Sequence, residues 1–302
     1  MEGITREQLQ EMIKSVYDQN GQTAELEELI RQLKELDEAL EPKNAWDIVQ
    51  LARHKDRPSA RQYIETLFPD FFELHGDRGT GDDAAVIGGI ATFKGKPVTI
   101  IAQEKGQTTE EKIATNFGML HPEGYRKAIR LAKQAEKFKR PIIFLIDTPG
   151  AYPGIEAEKR GQGEAIARCL FEFSDLQTPI IAILIGEGGS GGALAFAIAD
   201  RLYMLENTIY SILSPEGFAS ILWKDASRAA EAAELLQLDA KSLKAKGIID
   251  DIIEEPYGGA HMNLTQTVAK IELKLEYDLK ELAKLSTFKL VQQRERKYRR
   301  MT

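Results

Sequence analysis

Two short, unbroken apolar runs constrain this chain more than anything else in it. PIIFLID spans Pro141 to Asp147, and TPIIAILI spans Thr178 to Ile185. Neither alternates apolar with polar residues, and both are short for a buried helix. Such runs mark strands covered on both faces, as in a parallel sheet with helices on either side. Each run ends at a turn of small residues and gives way to a helical pattern. The first is followed by TPGAYPG, Thr148 to Gly154, and a helix through Phe173. The second is followed by GEGGSGG, Gly186 to Gly192, and a helix over Ala193 to Ala199.

The rest of the chain keeps a related rhythm. AVIGGIATF (Ala85 to Phe93) and PVTIIAQEKG (Pro97 to Gly106) read as the strands of a hairpin. Lys94-Gly95-Lys96 is its turn, with glycine supplying the positive φ. Pro122-Glu123-Gly124 opens a helix whose Tyr125, Ile129, Leu131, Ala132, Ala135 and Phe138 make a broad apolar face. RLYMLE, TIYSIL and IIDDII supply three further strands. Two strands and a helix, repeated, is an α/β pattern without simple βαβ alternation. Both ends are helical. Leucines and isoleucines recur at three- and four-residue steps from Arg6 to Leu40, with a break at Asn20-Gly21 and a boundary at Pro42. A helical pattern returns from Leu264 to Arg300 and ends in RERKYRR. The chain therefore divides into an N-terminal helical arm (1–41), a central domain (42–262) and a C-terminal helical extension (263–302).

Composition narrows the function. A chain of 302 residues that is 43% apolar can bury a sizeable core. Its net charge of −7 argues against non-specific nucleic-acid binding, so nucleic acid is not expected as a partner. The one cysteine, Cys169, makes neither an internal disulfide nor a multi-cysteine zinc site, and its helical setting reads as core. The polar start MEGITREQLQ has no apolar signal region, and no run of 18 apolar residues occurs. A cytoplasmic protein with no membrane span is the expectation.

The glycine cluster carries the chemistry and admits two readings. Gly188, Ser190 and Gly192 form G-x-S-x-G between a strand and a helix, the setting of a nucleophile elbow. Asp250 or Asp251 and His261 follow Ser190 in the order that such a serine hydrolase needs, but His261 sits in the loop-like GGAHMN. His54, His75 and His121 precede the serine, which is the wrong order. The second reading uses the backbone. Gly188, Gly189, Gly191 and Gly192 let N–H groups approach a ligand without Cβ obstruction, and the helix that follows adds its N-terminal dipole. Gly150 and Ala151, in the turn one strand–helix unit earlier, are candidates for further donors to the same cleft. Asp147 reads as a turn or cap residue before it reads as a base. Lys105 and Lys224 read as solvating lysines, and RERKYRR as a solvated helix end.

Several longer strings then point one way. IDTPGAYPG, GEGGSGGAL, NFGMLHPEGYRKA (Asn116 to Ala128) and SPEGFASILWKD (Ser214 to Asp225) together resemble the alpha-subunit family of the bacterial acetyl-CoA carboxylase carboxyltransferases. The resemblance runs from about Trp46 to His261, with a matching helical arm in front. It implies a crotonase-like (ClpP/crotonase) superhelix of ββα units, here with N- and C-terminal helical extensions. It implies transfer of a carboxyl group from carboxybiotin, held on a separate biotin carboxyl carrier protein, to acetyl-CoA, giving malonyl-CoA for fatty-acid synthesis. The implied partners are a carboxyltransferase beta subunit in an alpha2beta2 heterotetramer, the carrier protein and biotin carboxylase. No metal is expected in this chain, and the family's zinc is expected in the beta subunit. The family's oxyanion glycines fall on Gly191 and Gly192, with Gly150 and Ala151 in the companion turn and Gly188 and Gly189 on the substrate side. Under this reading Ser190 only fits between working glycines. A carboxyltransferase for another acyl-CoA such as propionyl-CoA, a serine hydrolase using Ser190, and a non-catalytic scaffold for a carboxylase complex are the alternatives.

Overall fold

Where the sequence promises buried strands, the computed structural model, which describes residues 8–9, 11–13, 15–16, 26–33 and 44–301, has them in a mixed sheet. The chain divides into two compact units between residues 43 and 44. In the first unit every described residue is helical. The break at Asn20-Gly21 and the boundary at Pro42 lie outside the described residues.

The second unit holds eight described strands: β1 (Phe72–Glu73), β2 (Val86–Phe93), β3 (Lys96–Gln103), β4 (Ile142–Thr148), β5 (Ile180–Gly189), β6 (Arg201–Leu205), β7 (Ile209–Ser211) and β8 (Asp251–Ile253). They lie in the order β1-β2-β3-β4-β5-β6-β8, and β7 pairs with β5. The first three strands are antiparallel, and from β3 onward the pairing is parallel. Phe93 pairs with Lys96 across the β2–β3 hairpin, with φ of 48° at Lys94 and 76° at Gly95. Two successive positive φ values are what a two-residue turn needs to match the twist of its strands.

The apolar runs are buried on both faces, residue by residue. Ile142, Phe144 and Ile146 of β4 face one core cluster, while Ile143 and Leu145 face another. Ile180, Ala182 and Leu184 of β5 join the first, and Ile181, Ile183 and Ile185 the second. The Pro122–Lys137, Gln162–Asp175 and Ser190–Ala197 helices cover the first face. Phe144 stacks there on Phe196 at 5.0 Å. Cys169 is fully buried on this face. The Ala60–Leu67 and Leu264–Leu282 helices cover the second face through Tyr63, Ile64, Val268, Ile271 and Leu275. Period-two burial, with helices on both sides, is why neither run alternates in sequence.

Near the glycines the structure departs from the sequence reading. β5 does not stop at Ile185 but continues to Gly189, and the next helix starts at Ser190 instead of Ala193. The cause is β7, which pairs with Glu187, Gly188 and Gly189 just where β6 ends. A short strand late in the sequence thus supplies backbone partners that a glycine-rich segment would otherwise lack.

Candidate active site

The carboxyl ends of β4 and β5 bring the two small-residue turns into direct contact. Gly192 lies in the first turn of the Ser190–Ala197 helix, and a Cβ placed on it would stand 2.6 Å from Gly150 C and 2.7 Å from Ala151 N. A Cβ on Gly189 would run into the Pro149 carbonyl. Gly188 is a strand residue, paired with both Thr148 and Tyr210, and a Cβ there would overlap Leu184. Packing therefore accounts for the missing side chain at Gly188, Gly189 and Gly192. It does not account for Gly191, where a Cβ would meet nothing nearer than Ile166 at 3.7 Å. Gly191 opens onto free space.

The amides divide in the same way. The first N–H groups of a helix have no intrahelical partner. Gly189, the N-cap here, has no side chain with which to take them. In the other turn Gly150 N–H is already held by Thr148 Oγ1 at 3.1 Å, and Thr148 Oγ1 donates in turn to Gly150 O at 2.7 Å. Ala151 N–H, next to it, has no hydrogen-bond partner among the described residues. Gln103, fully buried at the end of β3, steadies the helix start by donating Nε2 to Gly192 O at 2.8 Å.

Beneath this floor runs a chain of ion pairs that the sequence did not announce. Asp147 accepts Glu187 N–H at 2.8 Å and Lys105 Nζ at 3.1 Å. Lys105 also reaches Glu187 Oε2 at 2.6 Å. Arg53 bridges the other Glu187 oxygen, at 2.6 Å, to Glu216. Burial pushes the Glu187 carboxyl up, but Lys105 and Arg53 outweigh it and hold it below its ordinary range. Burial likewise opposes the Lys105 charge, and Asp147 and Glu187 outweigh it to raise the ammonium. Asp147 is thus a fixed acceptor tying β4 to β5, and Lys105 is a bridging cation instead of a solvating one. Glycine is required at Gly186 because a Cβ would strike the Asp147 carboxylate. The only sequence signal for this network was an acid or base just beyond each apolar strand.

Ser190 has one property of a nucleophile elbow and lacks the rest. Its φ is 48°, a left-handed conformation unusual for a residue other than glycine, and it is exposed. Among the described residues no side chain hydrogen-bonds to its hydroxyl. His261 stacks on His54 at 3.9 Å. Asp250 accepts Leu202 N–H, and Asp251 pairs with Lys244 and Lys274. The Ser-Asp-His order in the sequence does not become a hydrogen-bonded triad.

A model of acetyl co-enzyme A carboxylase carboxyltransferase-like proteins matches residues 4–302. The chain is 54% identical over 278 residues to an acetyl-coenzyme A carboxylase carboxyl transferase subunit alpha of Halalkalibacterium halodurans, covering 92% of this chain and 86% of that protein. It is 55% identical over 268 residues to the same subunit of Clostridium botulinum, covering 89% and 98%. This chain belongs to the acetyl-CoA carboxylase carboxyltransferase alpha-subunit family.

Membership makes it a carboxyltransferase and one chain of a multi-chain enzyme. Its fold is the family's crotonase-like ββα arrangement. A transcarboxylase 12S structure superposes with a TM-score of 0.60 at 21% identity, covering 80% of this chain and 44% of that one. A Pseudomonas malonate decarboxylase MdcD–MdcE heterodimer superposes with a TM-score of 0.57 at 19% identity, covering 72% and 88%. Among the described residues no group of three or more His, Cys, Asp or Glu is arranged to hold a metal ion. No described helix is long and apolar enough to cross a membrane.

Proposed function

We propose that this chain, as the alpha subunit, transfers the carboxyl group from carboxybiotin on the biotin carboxyl carrier protein to acetyl-CoA, forming malonyl-CoA. It does so with a beta subunit in an alpha2beta2 assembly fed by biotin carboxylase. Gly191 and Gly192 N–H groups hold a developing oxyanion at the helix N-terminus, and Ala151 N–H donates from the facing turn. Gly150, Gly188 and Gly189 act by letting the two turns close on one another. Carboxybiotin, as substrate, gives up CO2 and leaves charge on its ureido oxygen; that biotin then takes the α-proton of the acetyl group, which puts charge on the thioester oxygen, and the enolate carbon bonds to CO2. Fixed amides stabilise such charge without reorganising, and each is worth about 3 kcal/mol in comparable sites. No side-chain nucleophile is required.

The observation that carries this reading is the open glycine at Gly191, beside a helix start with no side-chain cap among the described residues. A turn needed only for packing would have no reason to leave that position bare. The test is malonyl-CoA-dependent carboxylation of biocytin by the complex isolated through a tag on this chain. Activity with an equimolar, zinc-bearing partner is expected. An intact complex without activity overturns the reading.

A further inference from the structure

The segment Asn116-Phe117-Gly118 makes a single left-handed turn, with φ of 49°, 56° and 80°. Glycine is at home there, and asparagine tolerates it, but for a bulky aromatic it is an outlier. Gly118 is needed on its own account, because a Cβ on it would stand 2.8 Å from the Asp147 carbonyl. Two residues later Leu120 O accepts Tyr152 N–H at 3.1 Å and Gln162 Nε2 at 2.8 Å. The segment therefore lies along the Asp147–Tyr152 turn, close-packed on it at Gly118 and hydrogen-bonded to it at Leu120. Phe117 immediately precedes these contacts. The residue is 48% exposed, belongs to none of the core clusters and makes no ring contact among the described residues.

Phe117 thus carries two costs, a strained backbone and an exposed ring, and the fold recovers neither. A selection for stability alone would put glycine at position 117 as it does at 118. Strained residues of this kind collect where a site over-determines them. We propose that the Phe117 ring is an apolar wall of the active site, packing against the non-polar part of the substrate seated over the Gly191 and Ala151 amides. This rests on the transferase reading above. Two molecules offer such a part: the fused ring of biotin and the acyl thioester of the CoA substrate.

The test uses the whole complex, with biocytin and malonyl-CoA varied separately. For Phe117→Gly we expect an unfolding temperature no lower than that of the parent, because the strain is relieved. We expect kcat/KM to fall roughly tenfold or more for one of the two substrates, the loss of an apolar contact. Loss confined to biocytin identifies the biotin ring as the occupant, and loss confined to malonyl-CoA the acyl thioester. Phe117→Tyr should restore most of the activity. Parent-like kinetics of Phe117→Gly for both substrates overturn the proposal. So does a loss that travels with a lowered unfolding temperature and that Phe117→Tyr does not rescue, since that marks a structural role. A parent complex that binds its partner but does not turn over refutes the reaction itself, and the wall with it.

Discussion

The amino and carboxyl ends of the parallel strands use the same kinds of groups to different effect. At the amino end Asp200 accepts Ile180 N–H, and Asp250 accepts Leu202 N–H, each close to a strand start. Arg294 and Lys297 from the last helix neutralise them. At the carboxyl end Asp147 accepts Glu187 N–H in the same way, with Lys105 as its cation. The amino end closes the account of its polar groups. The carboxyl end closes it only below the floor and leaves helix amides uncapped above. Polar satisfaction thus separates the end that holds the sheet together from the end where the proposed chemistry is placed.

Removing one partner at the closed end should cost most. Arg294 is 1% exposed and donates to both Asp200 oxygens and to the carbonyls of Phe173, Leu176 and Thr178. Arg294→Met leaves a buried carboxylate unpaired, a loss of about 3–5 kcal/mol. Denaturant unfolding measures it, while turnover per folded molecule should hold. A variant of normal stability with reduced turnover would reverse the assignment of the two ends.

At the open end the expectation is inverted. At Gly191 a Cβ meets nothing nearer than Ile166 at 3.7 Å, so folding and assembly should survive Gly191→Val. On the proposed reading its side chain intrudes on the oxyanion, and kcat/KM should fall about a hundredfold or more. Steady-state kinetics on the purified complex decide the matter, and an unchanged rate would remove Gly191 from the site.

The network below the floor predicts a smaller, pH-dependent effect. Glu187 titrates below its ordinary value of 4.5 in the folded chain because Lys105 and Arg53 outweigh its burial. Its contribution is therefore complete above the unfolded pKa and is lost as pH falls through the folded one. Glu187→Gln should cost about 1–3 kcal/mol at neutral pH. The gap to the parent should close as both are acidified. Thermal unfolding across that range tests this, and a gap that stays constant would mean that packing, not charge, is what the substitution removes.

The sequence showed the parts whose physics is local. Continuous apolar runs announced strands buried on both faces, Lys94-Gly95-Lys96 announced a hairpin turn, and Pro122 announced a helix start. Gly191 was legible as a bare position, though not as the one glycine of its cluster that packing leaves unexplained. What escaped depends on residues far apart in sequence. β5 runs through its glycines only because residues 209–211 pair with them. Lys105 becomes a bridge only because β3, β4 and β5 lie side by side. Gly150 looked like a donor until Thr148 was seen to occupy its N–H.

Ser190 gives the smallest expected effect and the sharpest test of which atoms at the open end do the work. Its left-handed φ of 48° is what an elbow nucleophile would show, yet among the described residues no base is hydrogen-bonded to its hydroxyl. A left-handed residue also arises wherever a strand must turn directly into a helix, and here β5 ends at Gly189 and the helix begins at Ser190. The backbone explanation makes the hydroxyl dispensable. Ser190→Ala should therefore change kcat/KM by less than about threefold, under 1 kcal/mol in the barrier. Ser190→Gly, which keeps the geometry without strain, should do the same. A loss of several orders of magnitude in both variants, with the complex intact, would make the hydroxyl the working group and reduce the neighbouring glycines to packing.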